Sequence, residues 1–397
     1  MSRKGLIILL AVFLFEGMLC VQTIAATDGW VEYPTNPVFH PVKAYYPSVL
    51  YDAGQFSGHG DAHYYKMWYA TGDAIRLAYS EDGITWVMQG GDLGVLTNAH
   101  HPVVLFDAGG FGGSIYYKIW YWDSASEYVH PIRYAESSDG INWVNDQAIG
   151  EDPLSLLVTG WVSPYWFYSS YGPGAVLYNP GGYVSLTSAD PMGNKYVMYY
   201  DAASQGSAPD GTVEGTALAC SADGKYWIRY GSEPVLKASG GSAWDSEYAY
   251  AWTVLKIGGL FKMWYGGGQL GSNEGIGYAE STDGISWTRE ATPVMHVSDG
   301  IPWRSERTYT PLIIYDASKF SGHGDSAYYK MWYTGKTGSN YAVGYAVIPL
   351  PPTPPPVGGE WVPMNKLELL APWTGLALTI AIAASFVWVR RIKKRQN

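Results

Sequence analysis

The block Tyr-Lys-Met-Trp-Tyr recurs five times in this 397-residue chain, and that repetition constrains the fold more than any other feature. The copies are Tyr65-Lys66-Met67-Trp68-Tyr69, Tyr117-Lys118-Ile119-Trp120-Tyr121, Tyr196-Val197-Met198-Tyr199-Tyr200, Phe261-Lys262-Met263-Trp264-Tyr265 and Tyr329-Lys330-Met331-Trp332-Tyr333. Four copies lead into Ser-x-Asp-Gly-x-x-Trp, ending at Trp86, Trp143, Trp227 and Trp287. A period of roughly 50 to 80 residues built from aromatic β-formers and Asp-Gly turns predicts an all-β, five-bladed β-propeller.

Each repeat reads as four antiparallel strands. The first is a short apolar run such as Pro47–Tyr51 or Pro311–Tyr315, too short for a helix. The second is the repeated block. The third carries a small residue at Ala78, Ala135, Ala219, Ala279 or Ala346, and Asp-Gly then turns the chain into a fourth strand at the tryptophan. The fifth repeat stops at Val347 without that hairpin. Asp28-Gly29-Trp30-Val31-Glu32-Tyr33 matches the missing piece, so the N-terminal strand is expected to complete the fifth blade and remove an exposed edge.

The ends of the chain have other chemistry. Residues 1–26 read as a signal peptide: Arg3 and Lys4 precede an apolar stretch, and Ala25 and Ala26 suit cleavage. The propeller spans 27–348 and a Pro-rich linker spans 349–368. Residues 369–389 carry no charge over a length that can cross a bilayer as one transmembrane helix. The basic tail 390–397 would lie in the cytoplasm by the positive-inside rule, leaving the propeller outside a cell membrane crossed once. Of the two cysteines only Cys220 survives signal removal, so no intramolecular disulfide is expected. The formal net charge is −10, and seven of the Lys and Arg lie in the two terminal segments. That balance disfavours nucleic acid as a partner. A monomer is expected.

In a propeller the first strand of each blade lines the central channel, so the residues just before it rim one face. Tyr45, Tyr46, His100, His101, Tyr171, Tyr250 and Tyr309 occupy those places and are candidate ligand-binding residues. Aromatic faces with polar tips suit a sugar, which has an apolar CH face and a hydroxyl rim. The same rings could instead plug a narrow channel. Candidate catalytic carboxylates are Asp245 and Glu247 in Trp244-Asp245-Ser246-Glu247, Glu306 in Trp303-Arg304-Ser305-Glu306-Arg307, and Asp123 and Asp201 after the second strands of blades two and three. Arg304 and Arg307 join the ligand-binding candidates. Two carboxyl groups across a glycosidic bond are what its cleavage requires. No cofactor or metal is expected, with structural calcium open at the paired hairpins Phe56–Asp61 and Phe320–Asp325.

Over residues 28–348 these repeats resemble those of the five-bladed glycoside hydrolase superfamily, which includes arabinanases, β-xylosidases, invertases, levansucrases and mannoside phosphorylases. The resemblance implies a glycan partner and an acidic active site in the funnel. It implies Glu247 or Glu306 as the general acid. It also marks a departure: where those enzymes carry an Asp on the first strand of the first blade, this chain reads Ala44-Tyr45-Tyr46-Pro47. The tail from Val357 resembles prokaryotic surface-sorting tails. Three readings follow: a surface glycosidase or glycan phosphorylase, a non-catalytic glycan-binding or adhesion module, and an architectural propeller with a filled channel.

Overall fold

Among the described residues of the computed structural model the strands form four sheets of antiparallel meanders, the ten-stranded sheet joining two of them through one parallel pair, Glu214 with Tyr248. The structure describes residues 29–90, 96–125, 132–149, 172–183, 194–203, 214–269 and 272–349. Two compact units divide the chain, Met1–Leu350 and Pro351–Asn397, and all described residues fall in the first. The expected signal peptide, transmembrane segment and basic tail lie outside the described residues, as does Tyr171. Among the described residues no helix is long and apolar enough to cross a membrane.

Meander one comprises Tyr45–Tyr51, Tyr65–Thr71, Ala74–Ser80 and Val87–Met88, and meander two Ala99–Phe106, Tyr117–Asp123, Ile132–Ser137 and Val144–Ala148. Meander three runs Pro173–Tyr178, Tyr196–Ala203, Glu214–Ser221 and Ile228–Arg229, and meander four Tyr248–Ile257, Leu260–Gln269, Ser272–Ser281 and Thr288–Arg289. Meander five is Arg307–Tyr315, Ala327–Thr337 and Asn340–Pro349, completed by Val31–Glu32 from the N-terminus. Val31 pairs with Val347, as the sequence match at Trp30 anticipates.

The repeated residues do the same work in each meander. Met67, Ile119, Met198, Met263 and Met331 lie directly across from Ala78, Ala135, Ala219, Ala279 and Ala346, and every one of these alanines is fully buried. A small residue there leaves room for a neighbouring sheet to pack on the pair. The ring of the second strand then reaches the Asp-Gly hairpin of the next meander. Trp332 Nε1 donates to Gly83 O at 2.8 Å, Trp68 to Gly140 O at 3.1 Å and Trp120 to Gly224 O at 2.9 Å. Tyr199 OH donates to Gly284 O at 2.8 Å, and Trp264 meets Trp30 edge-on with ring centroids 6.5 Å apart. Each of the four hydrogen bonds ties a buried ring to a turn carbonyl of the next meander, worth about 1 kcal/mol per bond beyond the buried area.

The paired hairpins Phe56–Asp61 and Phe320–Asp325 clasp neighbouring meanders. His323 O accepts from Tyr65 OH at 2.9 Å and Lys330 Nζ at 2.8 Å, and His59 O accepts from Tyr117 OH at 2.8 Å. A Cβ on Gly60 would stand 2.3 Å from Asp139 O and one on Gly324 2.2 Å from Asp82 O, so both positions require glycine. Among the described residues no group of three or more His, Cys, Asp or Glu side chains could hold a metal ion.

Candidate functional site

The first strand of every meander is broken by a bulge at the same place. Register slips between Tyr45 and Ser48, His100 and Val103, Pro173 and Ala175, Ala251 and Thr253, and Tyr309 and Leu312. At the bulge Tyr46, His101 and Thr310 adopt φ of 56°, 50° and 54°. These are left-handed backbones that bulky and β-branched side chains seldom take, at about 1–3 kcal/mol each. Thr334 holds the strain in place: its Oγ1 accepts from Tyr46 N at 3.0 Å and lies 2.6 Å from Thr310 Oγ1. Bulges of this kind re-aim side chains next to functional sites.

The re-aimed rings form one wall of a cavity of about 260 Å³ lined by Tyr46, His101, Trp122, Asp201, Glu214, Tyr250, Trp252 and Arg307, among others. Tyr46 sits edge-on to His101, with centroids 3.9 Å apart, and 5.5 Å from Trp252; His101 is 5.5 Å from Trp122. The volume lies just under the roughly 300–1,000 Å³ of small-molecule pockets, which fits one sugar ring better than a chain.

The polar side of the cavity is built from strand ends. Asp201 pairs across the sheet with Thr216, and Glu214 lies two residues from Thr216 on the same strand. Side chains two apart share a face, so both carboxyls project from one side of meander three in a diagonal pair, about 7 Å apart at the backbone. Arg307 Nε donates to Glu274 at 2.6 Å, and its guanidinium lies over Tyr309 at 4.0 Å. Glu274 is itself buried.

Burial decides the protonation states. The Glu214 carboxyl is pushed up to about 7, because burial disfavours its charged form more than nearby Arg307 favours it. His101 is held well below its ordinary value by burial, then by His100 and Arg307, and so presents a neutral imidazole. Burial likewise raises the Tyr46 and Tyr250 hydroxyls, which stay protonated. At neutral pH the site therefore offers a carboxyl near its midpoint beside a second carboxyl, an arginine and a neutral aromatic wall.

Of the residues singled out from sequence, Tyr46, His101, Tyr250, Asp201 and Arg307 line the cavity. Tyr45 and His100 lie one residue back, on the rim, and Tyr309 lies buried beneath Arg307. The other carboxylates lie apart. Asp245 is buried against Arg289 at 2.8 Å and Tyr265 OH at 2.9 Å. Exposed Glu306 accepts from Lys336 at 2.6 Å and from Gly338 N at 2.8 Å, which holds its carboxyl below the usual range. Glu247 bonds through its backbone, to Gly268 O and from Glu214 N, and does not line the cavity. Asp123 caps Ala125 N at 2.9 Å and pairs with Arg133 at 3.5 Å. Arg304 is buried in a clamp on Glu32, at 2.9 Å, and Asp299, at 3.0 Å.

Sequence reasoning passed over Glu214, Glu274, Trp122 and Trp252. A signal existed: Glu214 and Glu274 each stand five residues before the small residue of the third strand, Ala219 and Ala279.

No protein-family model and no curated protein matches the sequence, whereas solved structures do. A candidate glycoside hydrolase from Parabacteroides distasonis aligns with 81% of this chain and 98% of its own, at 12% identity and a TM-score of 0.55. A β-1,2-mannobiose phosphorylase from Listeria innocua, solved with β-1,2-mannobiose, aligns with 81% of this chain and 97% of its own, at 11% identity and a TM-score of 0.53. A structure from the mannoside phosphorylase family, which contains hydrolases targeting β-1,2 mannosidic linkages in Candida mannan, covers 81% and 94% at 14% identity and a TM-score of 0.51. At these identities the likeness is one of fold: the chain is all-β and shares the architecture of glycoside hydrolase-like propeller enzymes.

Proposed function

We propose that this chain is a carbohydrate-active, five-bladed propeller that cleaves a glycosidic bond at the cavity between its meanders. The observation that carries the reading is the joint presence of an aromatic wall and the diagonal carboxyl pair Asp201 and Glu214 in one sugar-sized space. Glycan ligands of the structural relatives support the substrate class. In this reading Glu214, protonated near neutrality, gives its proton to the leaving glycosidic oxygen as the bond to the anomeric carbon breaks. Asp201 takes a proton from the water that attacks that carbon, and Arg307 orients the sugar hydroxyls. Tyr46, Trp122 and Trp252 would stack on the CH face of the ring. We place the propeller outside the cell, held by the 369–389 span, on the strength of the terminal sequences.

A second reading, a glycan-binding module without cleavage, draws on one observation: on the first strand of the first blade, where the superfamily it resembles carries an Asp, this chain reads Ala44-Tyr45-Tyr46-Pro47. The full-length chain, Glu214→Gln and Asp201→Asn should be assayed for reducing-sugar release across a glycan panel, with binding measured in parallel. Release by the parent that vanishes in both variants supports the hydrolytic reading. Binding without release by the parent leaves the module. Neither binding nor release by the parent would refute both.

A further inference from the structure

A second concavity, of about 330 Å³, lies on the same edge of the sheets as the central cavity. Its lining includes Pro37, His40, Val42, Trp303, Asn340 and Tyr341. Thr337–Asn340 is the hairpin joining the second and third strands of meander five. The central cavity is lined by the matching strand ends of meander three, Asp201 and Glu214, so the two openings face the same way. The walls have the chemistry of a sugar site: an indole and a phenol ring, proline faces, and the polar tips of His40, Asn340 and Thr337.

The two concavities are joined by aromatic rings. Tyr341, in the groove, lies 5.2 Å from Tyr45, and Tyr45 lies 4.8 Å from Tyr46, in the cavity wall. Tyr45 is a fixed platform. Its hydroxyl donates to Gly72 O at 2.7 Å, and the ring is flanked on its far side by His100 at 5.8 Å. Rigid aromatic rings bind at low entropic cost, because little side-chain freedom remains to be lost.

We propose that the groove is a distal sugar subsite, and that the ligand is an oligosaccharide laid from the groove across Tyr341 and Tyr45 into the cavity. The proposal rests on the reading of the cavity as a sugar site. It also meets a limit of that reading: a cavity of about 260 Å³ holds one ring, so further units of a chain must lie on the rim. On the side of Tyr45 the rim continues as a ridge of linked rings into a second concavity.

The test is calorimetric titration of the full-length chain with ladders of arabino-, xylo- and manno-oligosaccharides, from the monosaccharide upward. Affinity should climb with chain length and then level off. Tyr341→Ala should remove that climb, weakening the longer oligomers about tenfold while leaving the monosaccharide unchanged. Tyr341→Phe, which keeps the ring, should behave as the parent, and Asn340→Ala should weaken the longer oligomers alone. Asp201→Asn should weaken every length alike. Affinity independent of length in the parent, or an equal loss at all lengths in Tyr341→Ala, would overturn the distal subsite and leave the cavity reading intact. No binding of any ladder by the parent would sink the cavity reading, and the subsite with it.

Discussion

Replacing Glu214 by Gln should make the protein more stable at neutral and higher pH, even if it abolishes activity. The carboxyl is raised from 4.5 to about 7 in the fold, chiefly by burial. Because the folded value lies above the unfolded one, the native state binds more protons between those two values. Stability therefore falls as pH rises through that window, and the whole cost is present above about 7. A displacement of this size corresponds to about 3 kcal/mol at 1.36 kcal/mol per pKa unit. Gln has nearly the same shape and no charge, so it escapes the cost. Arg307 is not left unpaired, since it keeps Glu274 at 2.6 Å.

Urea unfolding of the full-length chain and Glu214→Gln, at about pH 8 and about pH 4.5, separates this effect from ordinary packing changes. Near pH 8 the variant should be more stable by about 2–3 kcal/mol, with an unchanged denaturant slope. Near pH 4.5 the two should agree within about 0.5 kcal/mol, because the parent carboxyl is then neutral as well. An equal difference at both pH values would mean that shape, not charge burial, drives the effect. A less stable variant near pH 8 would refute the argument. Gain of stability with loss of catalysis is what a destabilised functional carboxyl should show.

Three further outcomes follow from the packing. Burial lowers Lys66, Lys118 and Lys330 to about 8, below their unfolded value of 10.5, so the unfolded state binds more protons in that interval. The urea midpoint should therefore climb from about pH 8 and turn down before about pH 10, where tyrosines such as Tyr65 and Tyr117, raised by burial, begin to ionise in the unfolded chain; a steady fall from about pH 8 would contradict it. Gly324→Ala should cost about 2–4 kcal/mol, because its Cβ meets Asp82 O, whereas Gly58→Ala, with positive φ but open space, should cost about 1 kcal/mol; equal losses in thermal unfolding would show that φ alone matters. Arg304→Ala should cost about 2–4 kcal/mol and raise hydrogen exchange at Tyr33, whose amide bonds Tyr345 O at 2.9 Å; unchanged exchange there would mean the N-terminal strand is held without the clamp.

The meanders and the role of the N-terminal strand were legible because they depend on residues repeated at fixed offsets. The site was less legible because it depends on register, where one position reverses a side chain. Asp123 and Asp201 both stand at or near the end of a second strand and look equivalent in sequence. Counted from the buried Ile119 and Met198, however, Asp201 is the third residue on and Asp123 the fourth. Strand alternation sends them to opposite faces: Asp201 into the cavity beside Trp122, its counterpart in meander two, and Asp123 outward to Arg133. Counting from the methionine would have separated them. The bulge in the first strand could not be counted in this way; its one signal is the proline that follows the bulged residue at Tyr46-Pro47, His101-Pro102 and Thr310-Pro311, since proline inside a strand marks a bulge or an edge.

The segments Trp244-Asp245-Ser246-Glu247 and Trp303-Arg304-Ser305-Glu306 show how a repeat can imitate a site. In both, the indole lies against glycines of its own second and third strands, Gly267 and Gly275 in one case, Gly335 and Gly344 in the other. In both, the glutamate amide opens the pairing with the second strand, to Gly268 O and Lys336 O. The residue after the tryptophan reaches the outer strand of its own meander, and there the two copies exchange signs. Asp245 holds Arg289, whereas Arg304 holds Glu32. Arg289 and Glu32 are equivalent, each two residues after the outer tryptophan, Trp287 and Trp30. A strand bearing Arg in place of Glu32 would set like charges together at Arg304. The inverted pair thus fits the N-terminal segment to the meander that lacks a fourth strand of its own. Charged residues on this corner serve closure of the fold, and the chemistry we propose is left to the ends of meander three, where Asp201 and Glu214 share a face.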